Sequence, residues 1–592
     1  MYTRNRMAAL AALASLCATG ITSAHPDALG TRYVAATGED HGDCDDSHHP
    51  CRTLQYALTR VAPGNAIKLA AGSYDLASVD IERLLIGKEG VRGGYSAEDH
   101  FQIQDAETNA TRVSSVPDEF RNNFLAHGFI VVDANGDALP RVIHPKLAAP
   151  TSCNNGFAGS FPCHNIDYLA QVQLQEIPGQ PTSASEIWGF VDADDGREYA
   201  ILGHRGGTAV FDVTTPATPV LVGNITGNPS LWREVKVLQV PQASGPHRAY
   251  AYVTTEAPGG GLQIIDLSNL PASVSLANTL AEFSTSHTLY ISNIDYATNL
   301  PLAGQQPFLY IAGANIGGGA YRIYDLADPV NPVLVTTPPT GTGYMHDSTS
   351  MLITDNRTTQ CANAHNPCEV LVDFNETTVD LWDVTDKSAP VRLSSTGYPT
   401  ATYVHSGWPT ADSRYIVVHD ELDEMQRNLN THIYTLDVGD LRTPSLVTSF
   451  IGGNTATDHN GYTIGDRYYV SHYKRGLVIF DVTNPRALAE VGSFDTYLSP
   501  SANSAGTDGA WGVYPFLPSG TVLISDIENG MFLLKLNETL PPPAPPPPAS
   551  NPPPQPGLGG GGGGGGGALG AAILILLAGS AMLRARRRPA PP

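Results

Sequence analysis

Four histidines recur at long, nearly regular intervals: His287, His346, His405 and His459, separated by 59, 59 and 54 residues. Imidazoles carried to one axis by successive repeats can bind a transition metal. The same rings can instead hydrogen-bond from one repeat to the next. Trp188, Trp232 and Trp511 hold the corresponding marker position in other repeats, which favours packing; a metal in a central channel and a packed polar ring are the two readings. Asp458-His459 and His346-Asp347 have the look of acid–base fragments. No nucleophile stands at a fixed offset from them, and no G-x-S-x-G elbow is present. The segment Asp192 to Glu198 is acidic but lacks the twelve-residue calcium-loop pattern, so it reads as a β-turn. Glu421, Asp423 and Glu424 read as a solvated acidic loop, with a surface cation site as the other reading.

The elements that must position these residues are short strands. A strand ending in aspartate recurs, with its acid at Asp212, Asp266, Asp325, Asp383, Asp437 and Asp481, and a degenerate copy ends at Lys535 to Leu536. Its successive spacings are 54, 59, 58, 54, 44 and 54 residues. The aspartates are expected to cap turns through Asx bonds. The His/Trp marker opens each unit, and β-branched and aromatic runs bounded by Gly, Asn, Asp and Pro exclude a helical solenoid. About four strands per unit, repeated seven times, predict a seven-bladed β-propeller. The seventh unit lacks an outer strand. The stretch Ala170 to Leu174, just before the first unit, has no blade of its own and is expected to complete it, closing the ring.

Composition narrows the setting. The chain has 592 residues, with 34 Lys and Arg against 57 Asp and Glu, a net charge of -23. That balance argues against nucleic acid as a partner. Apolar residues at 42% are enough for packed cores. Residues 1–24 read as a signal peptide, with cleavage between Ala24 and His25; a lipoprotein signal using Cys17 is the rival, weakened by Leu16 before it. The six remaining cysteines fall into close pairs, Cys44/Cys51, Cys153/Cys163 and Cys361/Cys368, and an exported chain with an even number reads as disulfide-bonded. Residues 25–150 form a separate N-terminal module and 151–540 the propeller. A Pro-rich and Gly-rich linker at 541–567 leads to an apolar segment at 568–592 that ends in arginines, a membrane-directed tail oriented with its end in the cytoplasm.

Several segments resemble known families. The tail's glycine run, short apolar helix and arginine cluster resemble the GlyGly-CTERM sorting signal of Gram-negative bacteria. That resemblance implies a rhomboid-type sorting protease as a partner, with release or re-anchoring at the cell surface; a permanent single-span anchor is the other reading. The strand Gly476 to Asp481 resembles the LVIVD repeat. The whole arrangement, including Asp458-His459-Asn460 and Gly509 to Phe516, resembles the choice-of-anchor B family. The opening from Tyr33 to Tyr74 resembles the start of a right-handed parallel β-helix, which implies a small capping or binding module. These resemblances imply an exported surface propeller that binds a surface protein or a glycan. The other functional class is an exported hydrolase or lyase using a channel metal. An exposed aromatic row on the module would support glycan binding, and Tyr33, Tyr56, Tyr74 and Tyr95 are the rings scattered along it. N-terminal sequencing of the exported protein is expected to begin at His25; a chain beginning at Cys17 would establish the lipoprotein signal instead.

Overall fold

A computed structural model describes residues 30–62, 65–85, 90–339 and 342–537. The signal peptide with its Ala24/His25 site, the linker and the C-terminal segment lie outside the described residues. No helix among the described residues is long and apolar enough to cross a membrane.

Seven antiparallel sheets form the blades of a β-propeller. Blade 1 comprises Ala184–Val191, Glu198–His204, Gly207–Asp212 and Val220–Thr226. Each later blade repeats this up-and-down order, and the first strands of neighbouring blades lie closest to one another. The first three strands of blade 1 are almost wholly buried, whereas the outermost is largely exposed. Their near-continuous apolar runs suit strands covered on both faces.

The aspartates that end the third strands all cap the following turn. Asp212, Asp266, Asp325, Asp383, Asp437 and Asp481 each accept the backbone N–H two residues on, at 2.7–3.0 Å. This is the Asx bond expected from the sequence. In blades 1, 5 and 6 the same carboxylates also pair with Arg197, Arg414 and Arg467, which begin or immediately precede the second strand.

Ring closure follows the expected route, with a shift in its boundaries. The closing strand is Ile166–Val172, and it pairs antiparallel with Gly530–Leu536 as the fourth strand of blade 7. Leu174 already belongs to a 3-10 turn. The hairpin Phe157–Ala158/Phe161–His164 extends blade 6 at its outer edge, and the Cys153–Cys163 disulfide ties the hairpin to the chain before it. Phe161, Phe494 and Phe532 pack at 5.4–6.4 Å between centroids where the hairpin meets blades 6 and 7. The other two pairs, Cys44–Cys51 and Cys361–Cys368, are also bonded.

In the N-terminal module, Arg32–Val34, Ile67–Ala70 and Val91–Tyr95 form one parallel sheet, and Gly72–Asp75, Thr111–Ser114 and Phe129–Val131 form another. Leu54, Leu69, Val91, Val113 and Phe124 lie in its apolar core. Thr53 caps the short helix Leu54–Leu58.

Phe532 is fully buried at the closure. Phe532→Ala is expected to cost about 3–5 kcal/mol through the cavity it leaves, read as a lowered urea midpoint with an unchanged slope.

Candidate functional site

The axis of the propeller is built in three tiers by the first strands. The upper tier is a chain of rings in tilted contact. His287, His346, His405 and His459 follow one another at centroid separations of 4.4, 4.3 and 4.5 Å. Trp511 continues the chain at 4.4 Å from His459, and Trp232 stacks on Trp511 at 4.3 Å. Thus the four sequence-selected histidines do share one axis, in a sheaf with two of the three marker tryptophans. Trp188 does not belong to it. It sits mid-strand in the lowest tier, against Tyr462 and Tyr514, because the register of blade 1 brings Ser185 and Glu186 ahead of it.

The hydrogen bonds show how the rings are held. His346 Nδ1 lies 3.2 Å from the His405 carbonyl, and His459 Nδ1 lies 2.7 Å from the Trp511 carbonyl. These two rings bond to the next blade, as the packing reading expects. His287 instead meets the Glu256 carboxylate at 2.6 Å. His405 Nε2 faces Glu421 Oε2 at 3.7 Å. Thr288 and Ser406, each one residue after a histidine, donate across to the carbonyls of His346 and His459. Small residues let the strands crowd the axis: a Cβ on Gly407 would lie 2.4 Å from the Val417 carbonyl oxygen, and one on Gly512 2.6 Å from the Glu186 carboxylate.

The middle tier is charged. Glu186, Glu234 and Asp347 surround a single ammonium, Lys236, which pairs with Glu234 and lies 4.3 Å from the Trp188 ring centroid. Burial, and then the Glu234 charge, hold the Glu186 carboxyl well above its ordinary range. The same two causes push Asp347 up to about 7. Burial also raises Glu234, against the pull of Lys236. The lower tier is a plug of Trp188, Tyr290, Tyr296, Trp408, Tyr514 and Phe516, with ring separations such as 5.1 Å for Tyr296–Trp408.

The upper mouth is covered by the N-terminal module. The Arg92 guanidinium lies 4.8 Å above the Trp232 ring, and Ala126 packs with Trp511 and Tyr473. His127 Nε2 lies 3.1 Å from Asp508, whose other oxygen lies 3.4 Å from Lys474. Burial alone would raise Asp508, but the Lys474 ammonium and His127 outweigh it and hold the carboxyl well below its usual range. The axis is therefore nearly filled. Among the described residues, a void of about 10 Å³ borders the ring tier and another of about 10 Å³ borders Lys236, Asp347 and Trp408; each has room for about one water. Two grooves lie off the axis. One of about 590 Å³ lies on the module beside the Cys44–Cys51 loop, lined by Asp43, Asp46, His48, His49 and His100 among others. Another of about 380 Å³ lies where the closing strand approaches blade 1.

Two further expectations are corrected. Glu421, Asp423 and Glu424 are buried rather than solvated, and burial pushes Asp423 up to about 8. Asp458 pairs not with its neighbour His459 but with His419, whose Nε2 meets the Tyr468 hydroxyl at 2.7 Å. Sequence reasoning missed His419 and Tyr468 because their partners lie 39 and 49 residues away; the strand-end position of His419, before Asp420, was the available signal. The module's tyrosines form no exposed row, since Tyr74 and Tyr95 are buried. The acidic segment of blade 1 does form the expected turn, with the Gly196 N–H donating to the Asp192 carbonyl.

Two segments, residues 248–280 and 464–496, match the LVIVD repeat. Each spans the second, third and fourth strands of a blade, so the first strand carrying the axial rings lies largely outside the repeat. None of the curated proteins matches the chain. Among solved structures, a "putative 6-phosphogluconolactonase" from Bacteroides uniformis is 12% identical, with a TM-score of 0.37, over 58% of this chain and 88% of its own. Raptor from Chaetomium thermophilum is 12% identical, with a TM-score of 0.39, over 60% of this chain and 28% of its own.

The raised axial carboxyls set a pH dependence. A carboxyl whose folded pKa lies above its unfolded value binds more protons when folded, so its stabilisation is full below the unfolded value and is lost as pH rises through the folded one. The melting temperature is expected to fall between about pH 4 and about pH 7 on account of Asp347. Asp347→Asn is expected to flatten that slope, measured by thermal melts across the range.

Proposed function

We propose that the protein is an exported propeller, displayed at or released from the cell surface, that works as a binding or scaffold module. The observation that carries this reading is the filled axis. Ring tier, charged tier and aromatic plug leave voids the size of one water, whereas grooves of about 590 and 380 Å³ lie on the outside. A ligand larger than a few atoms meets this protein at its outer surfaces. The LVIVD repeats and three disulfides support an extracellular setting. The sequence of the tail adds a rhomboid-type protease as its processing partner and the membrane as its route. The partner held by the module or the blades is a surface protein or a glycan.

Purified protein labelled on its lysines is expected to bind isolated cell envelopes saturably, with unlabelled protein competing. Protease treatment of the envelopes should abolish binding if the partner is a protein, and glycosidase treatment if it is a glycan. Non-saturable association, insensitive to competitor, would reject a binding role. In cells, deletion of the sorting protease should leave a heavier, membrane-retained chain; an unchanged mass would reject that processing route.

A further inference from the structure

We propose that the protein holds one divalent first-row metal ion, of the zinc type, between blades 5 and 6, with His405, Glu421 and His459 as its ligands. The site is distinct from the surface binding described above and does not rest on it. It is also narrower than a four-histidine centre. Among the described residues, His405, Glu421 and His459 each offer a ligand atom within 4.8 Å of the other two, and all three are buried. His287 and His346 are outside this group.

Three separate elements deliver the ligands. His405 lies on the first strand of blade 5, Val404–Pro409. Glu421 follows directly on the second, Tyr415–Asp420. His459 directly precedes the first strand of blade 6, Asn460–Ile464. The chain at Glu421 is pinned by Asp420, which accepts the N–H groups of Thr402 and Tyr403 at 2.8 and 2.7 Å. Two nitrogens and one carboxylate oxygen, with a fourth position for water, make a familiar donor set for Zn²⁺ and a reasonable one for neighbouring divalent ions.

The surrounding bonds aim these ligands. The Trp511 carbonyl takes the Nδ1–H of His459 at 2.7 Å, which makes Nε2 the nitrogen with the lone pair. The Tyr473 hydroxyl donates to Glu421 Oε1 at 2.6 Å, and Oε2 is the oxygen that faces His405 Nε2 at 3.7 Å. Two donors on a tetrahedral ion at 2.0–2.1 Å stand roughly 3.3 Å apart, so side-chain shifts of a few tenths of an ångström close this pair on a metal. The void of about 10 Å³ bordered by His405 and His459 has room for one water as the fourth ligand. Arg92 and Trp232 cover the mouth above it, so exchange of the ion requires movement of the N-terminal module.

The test is a Zn²⁺ titration of the chelator-stripped exported protein against a chromophoric competitor, with Co²⁺ substitution as a second readout. One equivalent of Zn²⁺ is expected, and Co²⁺ should give the intense visible bands of a four-coordinate site. Glu421→Gln and His459→Asn should weaken Zn²⁺ at least tenfold. Tyr473→Phe, which only releases the aim of Glu421, should weaken it by about tenfold, whereas His287→Gln should leave it unchanged. Circular dichroism decides whether each variant is folded, and the Co²⁺ spectrum of the unaltered protein stands if a variant is not. Absence of stoichiometric binding, the weak spectrum of six-coordinate Co²⁺, or native-like affinity in folded Glu421→Gln would overturn the proposal.

Discussion

The pairing of Ile166–Val172 with Gly530–Leu536 joins a segment from before the first blade to the last strand of the seventh, across more than 350 residues of chain. Beside it, blades 1 and 7 are joined by the Ala184 N–H donating to the Ile527 carbonyl and by Ser519 donating to the Glu198 carboxylate, but this pairing is the continuous ladder that closes the ring. Without that pairing, blade 7 would present a bare edge of N–H and C=O groups, and the inward-facing first strands would lose the geometry that brings their side chains to one axis. Closure is reinforced where it is made: Gln171 donates to the Asn529 carbonyl, and Phe161, Phe494 and Phe532 interlock across the two last blades. The Cys153–Cys163 bond holds the adjoining hairpin against the edge of blade 6.

Once the ring is closed, crowding at the axis controls what occupies it. Seven first strands meet there, so side chains must stack, pair or shrink to glycine. Aromatic rings pack in tilted and edge-to-face contacts in the upper and lower tiers, and Gly512 leaves room for the Glu186 carboxylate between them. Four ionisable groups are trapped between. One ammonium cannot balance three carboxyls in a low-dielectric space, so the acids lean toward their protonated forms. The tier is thus a polar spacer between two aromatic layers.

The N-terminal module is part of the same solution. Its strands are parallel and its core is its own, yet its surface supplies Arg92 to the exposed face of Trp232 and His127 to Asp508. Asp508 is the pivot of that contact because it is shared between a histidine of the module and Lys474 of the propeller. Such a buried contact, an Asp508–Lys474 ion pair joined by the His127 ring, is geometrically selective and holds the module in one pose over the axis.

What the sequence determined by itself is local and periodic. The recurring strand ending in aspartate sets both the blade and its turn, since an Asx bond needs only the two residues that follow. Seven units, the missing outer strand of the last blade and the three nearby cysteine pairs were all legible in one dimension. The ring of His287, His346, His405 and His459 was legible as a series, because the marker recurs with the blade. Tertiary structure alone decided which of those histidines draws close to a carboxylate, that Trp188 lies in the lowest tier, that Asp458 serves His419, and that Glu421 is buried. Each of these depends on the angle and register at which separate blades meet. Those quantities follow from the packing of the closed ring and not from the spacing of residues along the chain.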